Sequence, residues 1–202
     1  MVTPDGSARR VADSLAFPNG MAVTADNATL ICAESYGKKL TSFDIASDGS
    51  LSDGRVWADL GDGVSDGICV DAEGAVWYGD VPNMRCVRVR EGGDLLQTIE
   101  LDRGCFACML GGRDDSTLFM VAQDWRGAER MRDGARTGQV LTIPAPAAGA
   151  GWPEDAPAAL CSAWNASAVG TYAPAGSRAH PRARSADWAH EANSRSMFAN
   201  SR

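Results

Sequence analysis

Positive charge is in deficit in this chain. Lysine and arginine total 19 against 26 aspartates and glutamates, a net charge of −7 over 202 residues. Nucleic acids and anionic membranes both select basic patches, so neither is an expected partner. A cation or a neutral small molecule suits this balance better. Long apolar runs are missing as well, and none approaches the roughly 20 residues of a membrane span. The opening Met1-Val2-Thr3-Pro4-Asp5-Gly6 has neither the basic nor the apolar segment of a secretory signal. A cytoplasmic setting with reduced thiols is therefore expected. Histidine is scarce too: His180 and His190 are the whole supply, isolated in a tail where no metal site is expected.

The six cysteines do not lay out a disulfide framework. Cys32, Cys69 and Cys108 sit inside apolar, strand-like runs, where a free cysteine behaves as a small hydrophobe. Cys105-Phe106-Ala107-Cys108 has CxxC spacing, but no second pair and no histidine lies near it. On a regular strand, residues i and i+3 face opposite sides. The cysteines read as structural, not as a zinc or redox centre.

What the chain does have is a succession of short apolar runs broken by Gly, Asp and Asn. Strands are predicted over residues 9–12, 21–23, 29–34, 40–45, near 55–57, and over 68–70, 75–80, 85–89, 95–99, 107–110, 117–122 and 138–143. Phe17-Pro18-Asn19-Gly20 and Ser65-Asp66-Gly67 read as turns leading into strands. Asp71-Ala72-Glu73-Gly74 reads as a tight hairpin turn. Asn19 and Asp66 recur 47 positions apart, and Val70 and Leu110 recur 40 apart. Four short strands in each unit of that length, with no helical pattern, suggest the blades of a β-propeller. A β-sandwich with irregular hairpins is the competing reading. Residues 1–153 form this all-β region. Residues 154–202 are rich in Ala, Ser, Arg and Pro, and are expected to be a low-complexity, disordered extension.

In a propeller the innermost strand of each blade starts near one mouth of a central channel. Asn19 and Asp66 share that place, each followed by a glycine that could let a ligand approach the backbone. An amide oxygen and a carboxylate oxygen brought together there are hard ligands suited to Ca²⁺, Mg²⁺ or Mn²⁺, with Zn²⁺ tolerated. The third unit breaks the pattern with Phe106-Ala107, which offers a metal nothing. Tyr36, Tyr78, Asp80, Gln123 and Trp125 follow strands near the channel or rim, and either substrate contact or packing explains each.

Phe17-Pro18-Asn19-Gly20-Met21, the run from Ser65 to Trp77, and Cys108-Met109-Leu110-Gly111-Gly112 resemble the gluconolactonase / senescence marker protein / luciferin-regenerating enzyme family. The resemblance covers roughly residues 1–153. It implies a six-bladed propeller, of which about three to four blades are present. It also implies hydrolysis of a sugar lactone or related ester with one divalent cation, most readily Ca²⁺. By the same resemblance Asn19 is a metal ligand, and Asp66 is both a metal ligand and the general base. The family's metal-binding Glu and a further substrate-side Asn have no counterpart here. The isolated chain is therefore expected to be truncated and impaired, with an open propeller edge available for self-association. The alternative is a non-catalytic partial propeller, acting as an interaction module or a non-functional fragment.

Overall fold

Alternating apolar residues, punctuated by Asx and glycine turns, build eleven strands in the computed structural model, which describes residues 6–130 and 136–151. The tail expected over 154–202, with both histidines, lies outside the described residues. The first antiparallel sheet runs β1 (Pro18–Val23), β2 (Thr29–Glu34), β3 (Lys39–Ile45) and β4 (Leu51–Asp59), each strand beside its sequence neighbour. The second repeats that plan with β5 (Ser65–Val70), β6 (Val76–Asp80), β7 (Arg85–Val89) and β8 (Leu95–Glu100). The third holds β9 (Gly104–Gly111), β10 (Thr117–Gln123) and β11 (Gln139–Pro144), again in sequence order. A single 3-10 turn, Ala128–Arg130, lies between β10 and β11. These meandering sheets are propeller blades. Among the described residues no helix is long and apolar enough to cross a membrane.

The blades pack face to face, and the second is covered on both sides. Val76, Tyr78, Val87 and Val89 turn toward the first blade, where they meet Ile31, Leu40 and Trp57. The intervening Trp77 and Cys86 turn the other way, onto Cys105, Leu118 and Met120 of the third blade. Every residue of β6 is consequently buried. A strand covered on both faces has no solvent side, so the apolar run at 75–78 is continuous and not alternating.

The hairpin at residues 71–74 forms as expected. Gly74 adopts a left-handed φ of 76° and its N–H donates to the Asp71 carbonyl at 2.9 Å. Asp71 Oδ1 accepts from the N–H groups of Glu73 and Ala75 at 2.9 and 3.0 Å. Its Oδ2 accepts from Arg88 Nε at 2.7 Å, with Arg88 Nη2 reaching Glu73 Oε2 at 2.8 Å. Asp71 is thus a fully buried carboxylate that organises the turn, the β7 strand and the interior together.

One expected strand does not form. Residues 9–15 take no regular structure. Arg9 reaches instead to the β3–β4 turn, donating to the Asp48 carbonyl and Ser50 Oγ, each at 3.0 Å. Two expected turns are also absent, because Pro18-Asn19-Gly20 lies within β1 and Ser65-Asp66-Gly67 within β5.

Candidate metal and catalytic site

Those two segments are β-bulges, and they are the same bulge. In the first blade Pro18 pairs with Glu34 but Met21 pairs with Cys32, three steps along β1 against two along β2. In the second, Ser65 pairs with Asp80 and Ile68 with Tyr78. In the third, Cys105 pairs with Ala122 and Cys108 with Met120. Each inner strand carries one extra residue at a matched place, which bends the strand and re-aims the side chain there. Asn19, Asp66 and Phe106 are therefore equivalent positions, and Gly20, Gly67 and Ala107 follow them.

The glycines serve the neighbouring blade and not a ligand. A Cβ on Gly20 would lie 2.5 Å from the Asp66 carbonyl oxygen and 2.7 Å from the Ile68 nitrogen. One on Gly67 would lie 2.8 Å from both Cα and Cβ of Ala107. Inner strands β1, β5 and β9 thus touch backbone to backbone at their bulges. This contact carries Asn19 up against Asp66.

Asn19 is exposed on β1 and its Nδ2 donates to Ser35 Oγ at 3.4 Å. Ser35 Oγ donates in turn to the Ser65 carbonyl at 2.6 Å, tying the turn after β2 to the residue before Asp66. Asp66 is half-buried. Burial pushes its carboxyl above the ordinary Asp range, against the opposing pull of a hydrogen bond from the Asn19 side chain. Other interior carboxylates have cations: Asp71 has Arg88, Asp80 has Arg85 at 2.9 Å, and Glu34 has Lys39 at 3.4 Å. Among the described residues no lysine or arginine pairs with Asp66. A desolvated carboxylate with an amide beside it and no positive partner is a donor set that fits a hard cation. It supplies two oxygens where Ca²⁺ takes 6–8. Among the described residues no three His, Cys, Asp or Glu side chains gather to hold an ion.

The residues left open by sequence divide cleanly. Tyr78 is buried between the first two blades, and its hydroxyl is pushed well above the ordinary range, chiefly by burial. Asp80 is fully buried and held by Arg85 Nε and by Asn83 Nδ2 at 3.0 Å. Both are packing residues. Tyr36 is 74% exposed and stacks on Phe17 at a centroid distance of 4.4 Å, beside Asn19. Trp125 meets Phe106 edge-on at 6.2 Å, on the far side of Asp66. Gln123 is half-buried at the end of β10. Sequence reading missed Ser35, which bridges the blades, and the Arg88–Asp71 pair. No spacing signal marks either, because each is joined to its partner through the fold.

A regucalcin from Xenopus laevis is 30% identical over 135 residues, covering 61% of this chain and 45% of its own length. The chain spans about half the length of the curated relatives it matches. Among solved structures, a gluconolactonase from Xanthomonas campestris is 33% identical with a TM-score of 0.51, over 59% of this chain and 39% of its own. The regucalcin of Agrobacterium tumefaciens, described as a calcium-binding protein, superposes with a TM-score of 0.59 at 18% identity, over 74% of this chain and 52% of its own. The sequence matches the family described as the SMP-30/Gluconolactonase/LRE-like region over residues 1–124. With that match spanning most of the described residues, the chain belongs to the SMP-30/gluconolactonase/LRE-like family.

Proposed function

We propose that this chain carries part of the active site of a divalent-cation-dependent hydrolase acting on a sugar lactone or a related ester. The observation that carries the reading is the matched pair of bulges, which sets an exposed amide beside a half-buried carboxylate that no lysine or arginine among the described residues neutralises. Asn19 and Asp66 would hold the cation through their side-chain oxygens. A bound cation supplies Lewis acidity to the carbonyl under attack. Asp66 takes a proton from the attacking water as general base. Asn19 orients that carboxylate through its hydrogen bond, and Ser35 fixes the distance between the two blades.

The substrate class is supported by the gluconolactonase relative, and Ca²⁺ as first choice by the calcium-binding description of a regucalcin, with Zn²⁺, Mg²⁺ or Mn²⁺ as alternatives. Two protein oxygens make a weak site, so the isolated chain is expected to bind its cation weakly and turn over slowly. A cytoplasmic setting goes with five unpaired cysteines among the described residues. The partner is a small molecule, with neither nucleic acid nor membrane in view, and the open sheet edges suit self-association. Thermal unfolding of the 202-residue chain with millimolar Ca²⁺ tests the reading. Stabilisation is expected, lost in Asp66→Ala and weakened in Asn19→Ala. Equal stabilisation of wild type and Asp66→Ala would refute the site, and no shift in the wild type would favour the non-catalytic alternative.

A further inference from the structure

The bulge in β9 also gathers thiols. On a regular strand Cys105 and Cys108 would face apart, but the extra residue between them turns both onto the second blade, where both are buried with Trp77 and Cys86. Cys69 of β5 packs against the same cluster. Four cysteines from β5, β7 and β9 thus share one inter-blade seam. Cys69 Sγ lies 4.0 Å from Cys108 Sγ. Cys69 is also half-buried and lines an apolar cavity of about 530 Å³ beside the inner strands.

We propose that Cys69 and Cys108 are a redox modification site, forming a reversible disulfide between the second and third blades when the protein meets a peroxide. Access singles out Cys69 among the four thiols, since neither Cys86 nor Cys105 reaches the cavity. Cys105 is fully buried and does not line it. Cys105 Sγ points to the Ala107 carbonyl at 3.7 Å, and Cys86 is fully buried without an opening to the cavity. Cys69 is the member a small oxidant reaches. Its sulfur attacks a peroxide oxygen, the O–O bond breaks, and the thiol becomes a sulfenic acid with release of one water. The Cys108 sulfur then attacks that sulfur, and the second water leaves with the Cys108 proton. Two thiols and one hydrogen peroxide thus give one disulfide and two waters. Hydrogen bonds with Cys69 and Cys86, then burial, hold the Cys108 thiol well above its ordinary range, which suits the resolving position and not the first attack.

The test is hydrogen peroxide treatment of the native chain, followed by intact mass and non-reducing peptide mapping. A product two hydrogens lighter is expected, with a single bridge joining the peptides that contain residues 69 and 108, reversed by dithiothreitol. Cys69→Ser and Cys108→Ser lose the bridge, whereas Cys86→Ser and Cys105→Ser keep it. A closed loop of this size is expected to raise the melting temperature of the oxidised chain by about 10 °C. Mapping of the unsubstituted chain is decisive even where a variant folds poorly. A bridge to Cys86, Cys105 or Cys161, or sulfinic acid at Cys69 with no bridge, overturns the proposal.

Discussion

Gly67→Ala tests directly whether the site is assembled by contact between blades. The added methyl would sit 2.8 Å from Cα and Cβ of Ala107 and 3.0 Å from the Phe106 carbonyl oxygen. Two of these three are atoms of the main chain, so no side-chain rotation relieves the clash and the two inner strands must part. Overpacking of this kind costs about 1–3 kcal/mol. Against it stands a gain of about 0.4–1 kcal/mol from the narrower unfolded ensemble of alanine. Gly67 has no left-handed φ, so steric room alone decides the sign. The net expectation is a loss of about 1–2 kcal/mol in urea unfolding at unchanged m-value. Gly111→Ala is the control, since its Cβ would meet only Phe119 Cε2 at 3.7 Å. That variant should equal or slightly exceed wild type. If Gly67→Ala is as stable as Gly111→Ala, the glycine is not there for the neighbouring blade.

Three further outcomes follow from the buried charges. Arg88→Met strands the fully buried Asp71 without its cation and should destabilise by about 3–5 kcal/mol, read by the same unfolding assay; a loss below 1 kcal/mol would contradict the pairing. Glu34→Gln removes charged acceptors from Ala16 N–H, Thr41 and Lys39, whose combined pull outweighs burial and lowers the Glu34 pKa. Its deficit of about 1–3 kcal/mol should be full at neutral pH and shrink as pH falls through the lowered folded pKa, because only the ionised form is favoured by folding. A deficit that does not change with pH would show that charge plays no part. Asp66→Asn works in the opposite direction. Burial raises this pKa, so without added cation the ionised carboxylate costs stability at neutral pH. The variant should then be more stable by up to about 1 kcal/mol, a modest figure for a half-exposed group. The gap should close as pH falls through the raised pKa toward the ordinary Asp value of 3.8. Melting temperatures that coincide at neutral pH would refute the burial.

Strands and the hairpin at 71–74 were legible because their signals are local. Apolar runs end at Asx and glycine, and Gly74 occupies the left-handed position that such a turn requires. The recurrence of Asn19 and Asp66 was legible for the same reason. What could not be read was the meaning of the residues beside them. Gly20 and Gly67 looked like room for a ligand, because nothing in a sequence says which backbone comes near. Strand periodicity points the two cysteines of the CxxC apart, and the β9 bulge overrides that by one residue. Asp71 looked like a turn residue, whereas its second oxygen serves an arginine 17 positions away. Residues 9–12 have the composition of a strand, but Arg9 finds its partners in a distant turn.

The repeated bulge has a consequence for how such a site can change. The inserted residue stands outside the pairing that holds each blade together, so its identity is free of the demands of the sheet. One amide, one carboxylate and one phenyl ring fill the same slot in three successive blades, with the ladder resuming within two residues. The inner-strand bulges are thus a row of interchangeable sockets on a fixed frame. New chemistry can arise there one substitution at a time, with the fold indifferent to the outcome.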